Sequence, residues 1–238
     1  MGTRAWKDRG RALLEILLAL GLLTESLALV LLAPFPSVSN PLGSVRALAV
    51  FTTLSSVLLL ALLAILQRLR GEPFPASILG ERERWGRESL GGLLWVPVIF
   101  AGSYALKSLF RHAAPGIYSG ERNVLEDLMH SPADLVLFLF VAIFSGGIKE
   151  EIQRAFVIRR FEAAWGPAWF GALLFAIYFG LGHRVQGTDE AIIAGALGLA
   201  WGLLFIRRRS IVSPVVSHGL YDALELIRYY LFGPMRYL

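Results

Sequence analysis

The sequence predicts an all-α fold, a polytopic membrane bundle of about seven transmembrane helices. Of its 238 residues, 55% are hydrophobic and only 17% are charged. Long runs such as "LLEILLALGLLTESLALVLLA" are apolar on every side of a helix, whereas a water-facing helix has one apolar stripe. The first run is too long for a signal peptide and no A-x-A-like site closes it, so we expect a retained span. The chain contains no cysteine, which excludes disulfides and cysteine nucleophiles.

Seven apolar segments are long enough to cross a bilayer. They run over residues 12–33, 46–66, 90–110, 133–160, 167–183, 190–206 and 211–231. The fourth exceeds the bilayer thickness, so we expect it to tilt, to break near Gly146–Gly147 or to extend into the interface. The charged connection after the second span predicts a surface-lying helix around residues 78–88. We find no internal repeat and interpret residues 1–238 as one integral membrane domain.

Basic residues indicate the orientation, because cytoplasmic loops of membrane proteins are enriched in lysine and arginine. The positions that would share one side are Arg4, Lys7, Arg9, Arg11, the five arginines between the second and third spans, Arg159, Arg160 and Arg207–Arg209. This pattern predicts a cytoplasmic N-terminus, in what we interpret as a bacterial inner membrane. It also accounts for the net charge of +5 without nucleic acid, and we predict no nucleic acid partner.

Ionisable residues inside the predicted spans are candidates for function, because a charge in lipid is costly unless it is paired or hydrated. Glu15, Glu25 and Lys107 are isolated, and we interpret them as interhelical pairs or a small polar seam. The other ionisable residues occur in sets on later spans. They are Glu150, Glu151, Arg154, His183, His218, Asp222, Glu225 and Arg228.

Helical spacing brings several of these residues together. Glu150 and Arg154 are four apart and could pair, and His218 and Asp222 share a helix face in the same way. At about 1.5 Å per residue, Glu150 lies about 15 Å from the arginine-bearing end of its span, His218 about 14 Å and His183 about 24 Å. The depths of these residues thus differ by about 10 Å, and tilting of the helices could bring them level. We therefore expect these groups to meet inside the membrane.

Carboxylates and imidazoles at a shared depth fit three interpretations. The first is a salt-bridge network that only joins helices, although apolar residues would pack there at lower desolvation cost. The second is hydrolysis, in which a carboxylate deprotonates a water and an imidazole stabilises the oxyanion. The third is a zinc site of Glu150, His183 and His218 with a metal-bound water as nucleophile. The sequence has no HExxH motif, so a zincin is not supported.

Three short motifs follow one another on successive predicted helices. They are "EEIQR" at 150–154, "FGLGH" at 179–183 and "HGLYD" at 218–222. Together, and in this order, they resemble the EExxxR, FxxxH and HxxxN/D motifs of the CAAX protease and bacteriocin-processing family. These intramembrane proteases include the type II CAAX prenyl endopeptidase. The resemblance covers residues 133–231, which would form the catalytic core helices.

The resemblance implies a role for each motif residue. Glu150 would be the general base and would share the attacking water with His183, which follows Phe179 in the second motif. His218 and Asp222 would form the oxyanion side of the site. The supporting residues would be Glu151 and Arg154. The family's glutamate mechanism requires no metal cofactor, with zinc as the alternative, and its substrate would be a membrane-anchored protein or peptide.

The first motif departs from the family pattern. Its arginine follows Glu150 by four residues rather than five. Either the helix is deformed near Gly147, or the matching pair is Lys149–Glu150 and the first glutamate has been replaced. This spacing leaves open whether Glu150 or Glu151 is the base.

The third motif ends in Asp222, where many members of the family carry asparagine. An ionised aspartate has no proton to donate to an oxyanion. We therefore expect Asp222 to orient His218 or to act in its protonated form.

Two other classes of function remain as alternatives. A catalytically inactive scaffold or immunity protein of the same fold would keep the helices without the reaction. A proton-coupled transporter would also place acids and histidines in mid-membrane, but we find neither the inverted repeats nor the paired broken helices common in transporters.

Overall fold

The computed structural model describes residues 2–72, 76–120 and 123–234. Within these ranges the chain is helical and no strand is present, which confirms the all-α prediction. The helices are α1 (Gly2–Ala19), α2 (Leu22–Leu32), α3 (Val45–Leu69), α4 (Ala76–Leu79), α5 (Trp85–Ala113), α6 (Pro132–Val141), α7 (Glu151–Trp165), α8 (Ala168–Gly182), α9 (Thr188–Arg208) and α10 (Val212–Phe232). A π-helical segment, Ala142–Glu150, joins α6 to α7 without a break.

Each of the seven predicted segments is occupied by helix, but not all of these helices are long and apolar enough to identify as spans. Among the described residues, three helices qualify by length and hydropathy: Val45–Leu69, Arg82–Ala113 and Thr188–Arg208. A fourth is the pair Asp8–Ala19 and Leu22–Leu32, which is bent by 40°. The protein is thus a helical bundle with three to four candidate membrane spans, and the number seven stays a prediction.

The first predicted span is broken at Gly21. Its φ of 92° is left-handed, a conformation that glycine adopts without a steric penalty. The break frees backbone carbonyls between α1 and α2, and side chains from other helices bind them. The Gln153 side chain donates to the carbonyl oxygen of Ala19 at 2.8 Å, and the Tyr178 hydroxyl donates to that of Leu20. The bend is therefore stabilised by side chains of α7 and α8.

The surface helix predicted over residues 78–88 is wrong in its extent. Only Ala76–Leu79 forms a short helix there, followed by a 3₁₀ turn at Arg82–Arg84. Helix α5 begins at Trp85, five residues earlier than the predicted span at 90. The positive φ of Gly80, 72°, ends α4 and prevents one continuous helix.

One end of the bundle collects buried ion pairs between helices. Glu15 of α1 lies 3.0 Å from Arg11, 2.9 Å from Arg70 after α3, and 2.8 Å from Arg160 of α7. Arg160 also binds Glu72 at 2.7 Å. The isolated Glu15 is therefore an interhelical pairing residue, as predicted.

The same end continues across α5, α7, α9 and α10. Glu88 of α5 is buried, accepts a hydrogen bond from Ser213 at 2.9 Å, and lies 3.7 Å from Arg208. Arg209 pairs with Glu162 at 2.6 Å, and this hydrogen bond lowers the pKa of Glu162. We call this end, which holds Arg11, Arg70, Arg84, Arg160, Arg208 and Arg209, the arginine-rich face. The basic segments thus lie on one side of the bundle, as the charge pattern predicts.

Candidate active site

The π-helical segment positions the first motif. It contains Gly146 and Gly147, the place where the sequence predicts a deformation. A Cβ on Gly147 would lie 3.0 Å from the Cα of Gly219 on α10, and one on Gly146 would lie 2.5 Å from Oδ2 of Asp222. The absence of side chains therefore lets the wide turn contact α10 directly. Short π-helical stretches are frequent at functional sites.

Gly182, which precedes His183 of the second motif, makes no comparable close contact. A Cβ there would meet nothing within 4 Å. This glycine is the exposed last residue of α8, so no other backbone packs against it.

The three motifs face one cavity of about 290 Å³. Glu150 comes from the end of the π-helical segment, His183 from the C-terminus of α8, and His218 and Asp222 from α10. Helix α9 contributes Trp201. All four motif residues line this cavity, and contacts of 3.9 and 3.5 Å join His218 to Glu150 and to Asp222.

His218 lies at the centre of the hydrogen bonding. Its Nδ1–H donates to Oε1 of Glu151 at 2.8 Å, which directs Nε2 toward the cavity. Nε2 lies 3.5 Å from Asp222 and 3.9 Å from Glu150. The imidazole stacks on the Trp201 ring, with centroids 3.8 Å apart and planes 19° apart. The ring is therefore fixed from one edge and one face.

Glu151 and Arg154 form a fully buried pair behind His218. Their relative exposures are 1% and 0%, and Arg154 binds the same Glu151 oxygen that accepts from His218. The guanidinium also lies over the rings of Phe175, Phe179 and Trp201, at 5.3, 5.0 and 5.6 Å from their centroids. These cation–π contacts are a favourable setting for a buried cation.

The predicted pairing of Glu150 with Arg154 is therefore wrong. Arg154 turns toward the aromatic rings of α8 and α9, where Glu151 is the carboxylate within reach. Glu150 lies on the cavity side and has Lys149 3.4 Å away instead.

His183 is half-buried at the cavity wall. Its Nδ1–H donates to the carbonyl oxygen of Phe179 at 2.8 Å, so the neutral ring presents the Nε2 lone pair. The Phe179 ring contacts it at 4.5 Å between centroids and also meets His218 edge-on at 6.1 Å. Phe179 thus separates and orients the two imidazoles.

The alternative zinc ligands were Glu150, His183 and His218. Among the residues that the structure describes, no group of three or more histidines and carboxylates has an arrangement that could hold a metal ion. The Nδ1 atoms of both histidines bind a backbone carbonyl and Glu151, so metal ligation would fall to their Nε2 atoms, an arrangement common for zinc-binding histidines. A reaction without metal therefore stays a prediction.

Trp201 is a site residue that sequence reasoning did not identify. It is buried, donates from its indole N–H to Ser217 at 3.1 Å, and carries the His218 ring. A lone tryptophan in an apolar helix has no spacing or charge signal, because its importance depends on packing between α9 and α10.

The outer part of the cavity is also polar, which sequence reasoning did not anticipate. Its wall includes Glu126, from the 3₁₀ turn between α5 and α6. Burial and the neighbouring Glu225 raise the pKa of Glu126 to about 8. Glu225 itself accepts from Arg228 at 2.6 Å, and Lys107 of α5 pairs with Glu190 of α9. The predicted interhelical role of Lys107 is confirmed by this pair.

The fold and these residues define a helical, membrane-compatible protein with a cavity of carboxylates and imidazoles. Residues 132–224 match the family model described as "Type II CAAX prenyl endopeptidase Rce1-like". The match includes all three motifs and confirms the resemblance to the CAAX protease and bacteriocin-processing family. Comparisons with the curated proteins and with the solved structures found no match.

Proposed function

We propose that the protein is an intramembrane endopeptidase of the glutamic type, which hydrolyses a peptide bond in a membrane-anchored protein or peptide. The observation that carries this proposal is the convergence of Glu150, His183, His218 and Asp222 on one cavity. A network serving only stability would be expected to leave no cavity beside its charges, since unpaired buried groups are costly. The site also retains the residue types that peptide hydrolysis requires.

The first step forms the bond between a water oxygen and the peptide carbonyl carbon. The free Nε2 of His183 accepts a hydrogen bond from the water and orients it. Glu150 removes the other water proton as the oxygen attacks. When the tetrahedral intermediate breaks down, the carbon–nitrogen bond cleaves and Glu150 returns its proton to the leaving amine.

The oxyanion side of the site is His218. In its doubly protonated form, Nε2–H can donate to the carbonyl oxygen as that oxygen becomes negative. Glu151 holds Nδ1 and thereby fixes the direction of Nε2. Asp222, 3.5 Å from Nε2, orients the imidazole rather than binding the oxyanion.

The contacts support Glu150, rather than Glu151, as the base. Glu151 is buried and its Oε1 is shared by Arg154 and His218, so it is a positioning residue. Glu150 lines the cavity, and its side chain is 18% exposed.

The test begins with substrates. Terminal-peptide mass spectrometry of membranes from cells producing the wild-type protein should reveal new N-termini that are absent with Glu150→Gln. The purified wild type should then cleave the identified proteins in lipid vesicles. Activity should survive exhaustive chelation, and its restoration by zinc after chelation would contradict a metal-independent mechanism.

Two further variants locate the base. Glu151→Gln should reduce both activity and thermal stability, because it disturbs Arg154 and His218. The matched control Glu83→Gln, at an exposed position before α5, should keep full activity. If Glu151→Gln loses activity without losing stability, and Glu150→Gln remains active, the general base is Glu151 rather than Glu150. If the wild-type protein cleaves no substrate in either assay, the inactive scaffold becomes the favoured alternative.

A further inference from the structure

We propose that the cavity opens to the non-cytoplasmic side of the membrane and receives the exported juxtamembrane segment of a membrane-anchored protein. The choice of substrate rests on the proposed protease function, whereas the direction of opening does not. Two sets of observations carry the proposal: the helix ends that form the cavity and the charges at the opposite end.

The cavity is formed by the helix ends that point away from the arginine-rich face. Thr52 lies near the start of α3, whose end carries the arginines at 68 and 70. Lys107 lies near the end of α5, whose first turns hold Glu88. Arg228 lies near the end of α10, and Glu190 is in the first turn of α9. Each of the four helices thus contributes residues from the half that is remote from its arginine-rich end, while Trp201 and His218 form the deeper part of the wall.

The mouth is marked by the connection between α5 and α6. Asn123, Leu125 and Glu126 of this connection line the cavity. The side-chain oxygen of Gln186, from the turn between α8 and α9, accepts a hydrogen bond from Asn123 at 3.0 Å. Two loops of the same face therefore meet at the entrance.

Packed side chains separate the cavity from the arginine-rich face. A cluster of buried apolar residues lies on α4, α7, α8, α9 and the start of α10; its members include Ile78, Ile158, Ala172, Phe205 and Ile211. Ile158 follows Glu151 by two helical turns, which corresponds to about 10 Å along α7. Beyond this cluster lie the ion pairs of Glu15 and Glu88. Water from that side would have to cross an apolar layer and the salt bridges of Glu15 and Glu88.

The arginine-rich face is cytoplasmic if the protein follows the positive-inside rule. The other face carries fewer basic residues, which among the described positions are Arg46, Lys107, Arg111, Arg184 and Arg228. The catalytic water would therefore be supplied from outside the cytoplasm. A C-terminus modified in the cytoplasm would not reach this opening, whereas a segment translocated with its anchor would.

The absence of cysteine from the chain permits a direct experiment, because each introduced cysteine is the sole thiol. Gly116→Cys reports the opening face and Gly86→Cys the arginine-rich face. Both glycines are exposed, and a Cβ at either position meets nothing within 4 Å, so the pair is matched. Asn123→Cys reports the cavity wall. The probe is a membrane-impermeant maleimide that shifts the protein on a gel.

In intact spheroplasts, we expect labelling of Gly116→Cys and Asn123→Cys, and of Gly86→Cys only after the membrane is opened. Labelling of Gly86→Cys but not Gly116→Cys in intact spheroplasts would overturn the proposed direction. A third outcome is that Gly116→Cys is labelled while Asn123→Cys stays unlabelled even in opened membranes. This outcome would show that the cavity is not reached from that face.

Combining each cysteine with Glu150→Gln separates the two proposals, since labelling requires no proteolysis. Cleavage sites mapped by mass spectrometry should lie on the non-cytoplasmic side of the substrate's anchor. Sites on the cytoplasmic side would overturn the substrate class. If no cleavage site is found, both the protease function and its substrate class are overturned. The cysteine labelling still decides to which side of the membrane the cavity opens.

Discussion

The two ends of the bundle both bury charged side chains, but they complete their pairings differently. At the arginine-rich face, Glu15 is surrounded by three arginines and Glu88 by arginines and a serine. At the cavity, Glu150 has Lys149 at 3.4 Å and the imidazole of His218 at 3.9 Å, and Asp222 keeps 28% of its side chain exposed. Burial of a charge inside a helical bundle therefore does not by itself indicate chemistry. The proposed chemistry rests instead on carboxylates that lie beside a cavity.

The strongest test of this comparison replaces one glutamate at each end. Glu150→Gln should lower the rate of proteolysis by about a hundredfold or more, as expected for loss of a general base, with little change in thermal stability. Glu15→Gln should instead destabilise the fold by about 3–5 kcal/mol, because it leaves buried arginines without their carboxylate. The measurements are kcat and the midpoint of thermal unfolding in detergent. Equal effects of both changes on stability would show that the ends do not differ as described.

A smaller effect is expected from the contact between the π-helical segment and α10. Gly147→Ala places a methyl group 3.0 Å from the Cα of Gly219, and such overpacking costs about 1–3 kcal/mol. Because Glu150 follows in the same segment, activity should fall at least tenfold together with stability. Gly102→Ala on α5 is the matched control, since nothing lies within 4 Å of its added Cβ, and it should retain both. A fully active Gly147→Ala variant would show that the close contact does not position the base.

The Trp201 stack sharpens the comparison within the cavity end. Trp201→Phe keeps an aromatic face under His218 but loses the hydrogen bond to Ser217, so we expect a several-fold loss of kcat. The loss corresponds to about 0.5–1.5 kcal/mol, the usual net contribution of one hydrogen bond. The pH profile of kcat should shift as well, because the stack contacts the titrating ring of His218. Reduced stability without any shift of the profile would indicate that Trp201 is only a packing residue.

A pH-dependent effect is expected from Glu126 at the cavity mouth. Its pKa of about 8 in the folded protein exceeds the ordinary glutamate value, so the folded state binds this proton more tightly than the unfolded state. The contribution of this group to stability is therefore complete in acid and falls as the pH rises from about 4.5 to 8. The Glu126→Gln variant should not lose stability in this way as the pH rises. Its midpoint of thermal unfolding should therefore exceed that of the wild type at pH 8 but not at pH 4. An identical pH dependence in both proteins would contradict the raised pKa.

The features that could be predicted from the sequence are those with a charge or a spacing. Apolar runs located the helices, and the order of three motifs located Glu150, His183 and His218. The partner of Arg154 could not be obtained in this way, because residues three and four positions away are both within reach on a helix. The aromatic rings that fix its direction belong to α8 and α9. Trp201 was missed for the same reason, since only packing between helices reveals its contact.

The π-helical segment has a consequence for counting along the chain. In an α-helix each residue advances about 100° around the axis, so one residue more or less turns a side chain to another face. A wide turn accommodates an additional residue while the flanking helices keep their orientation. The distance in sequence between Gly147 and Arg154 is therefore a poor measure of which face Glu150 occupies. Alignments of this span should allow a one-residue gap between the two helical halves, and equivalent carboxylates should be assigned by position in space rather than by their rank before the arginine.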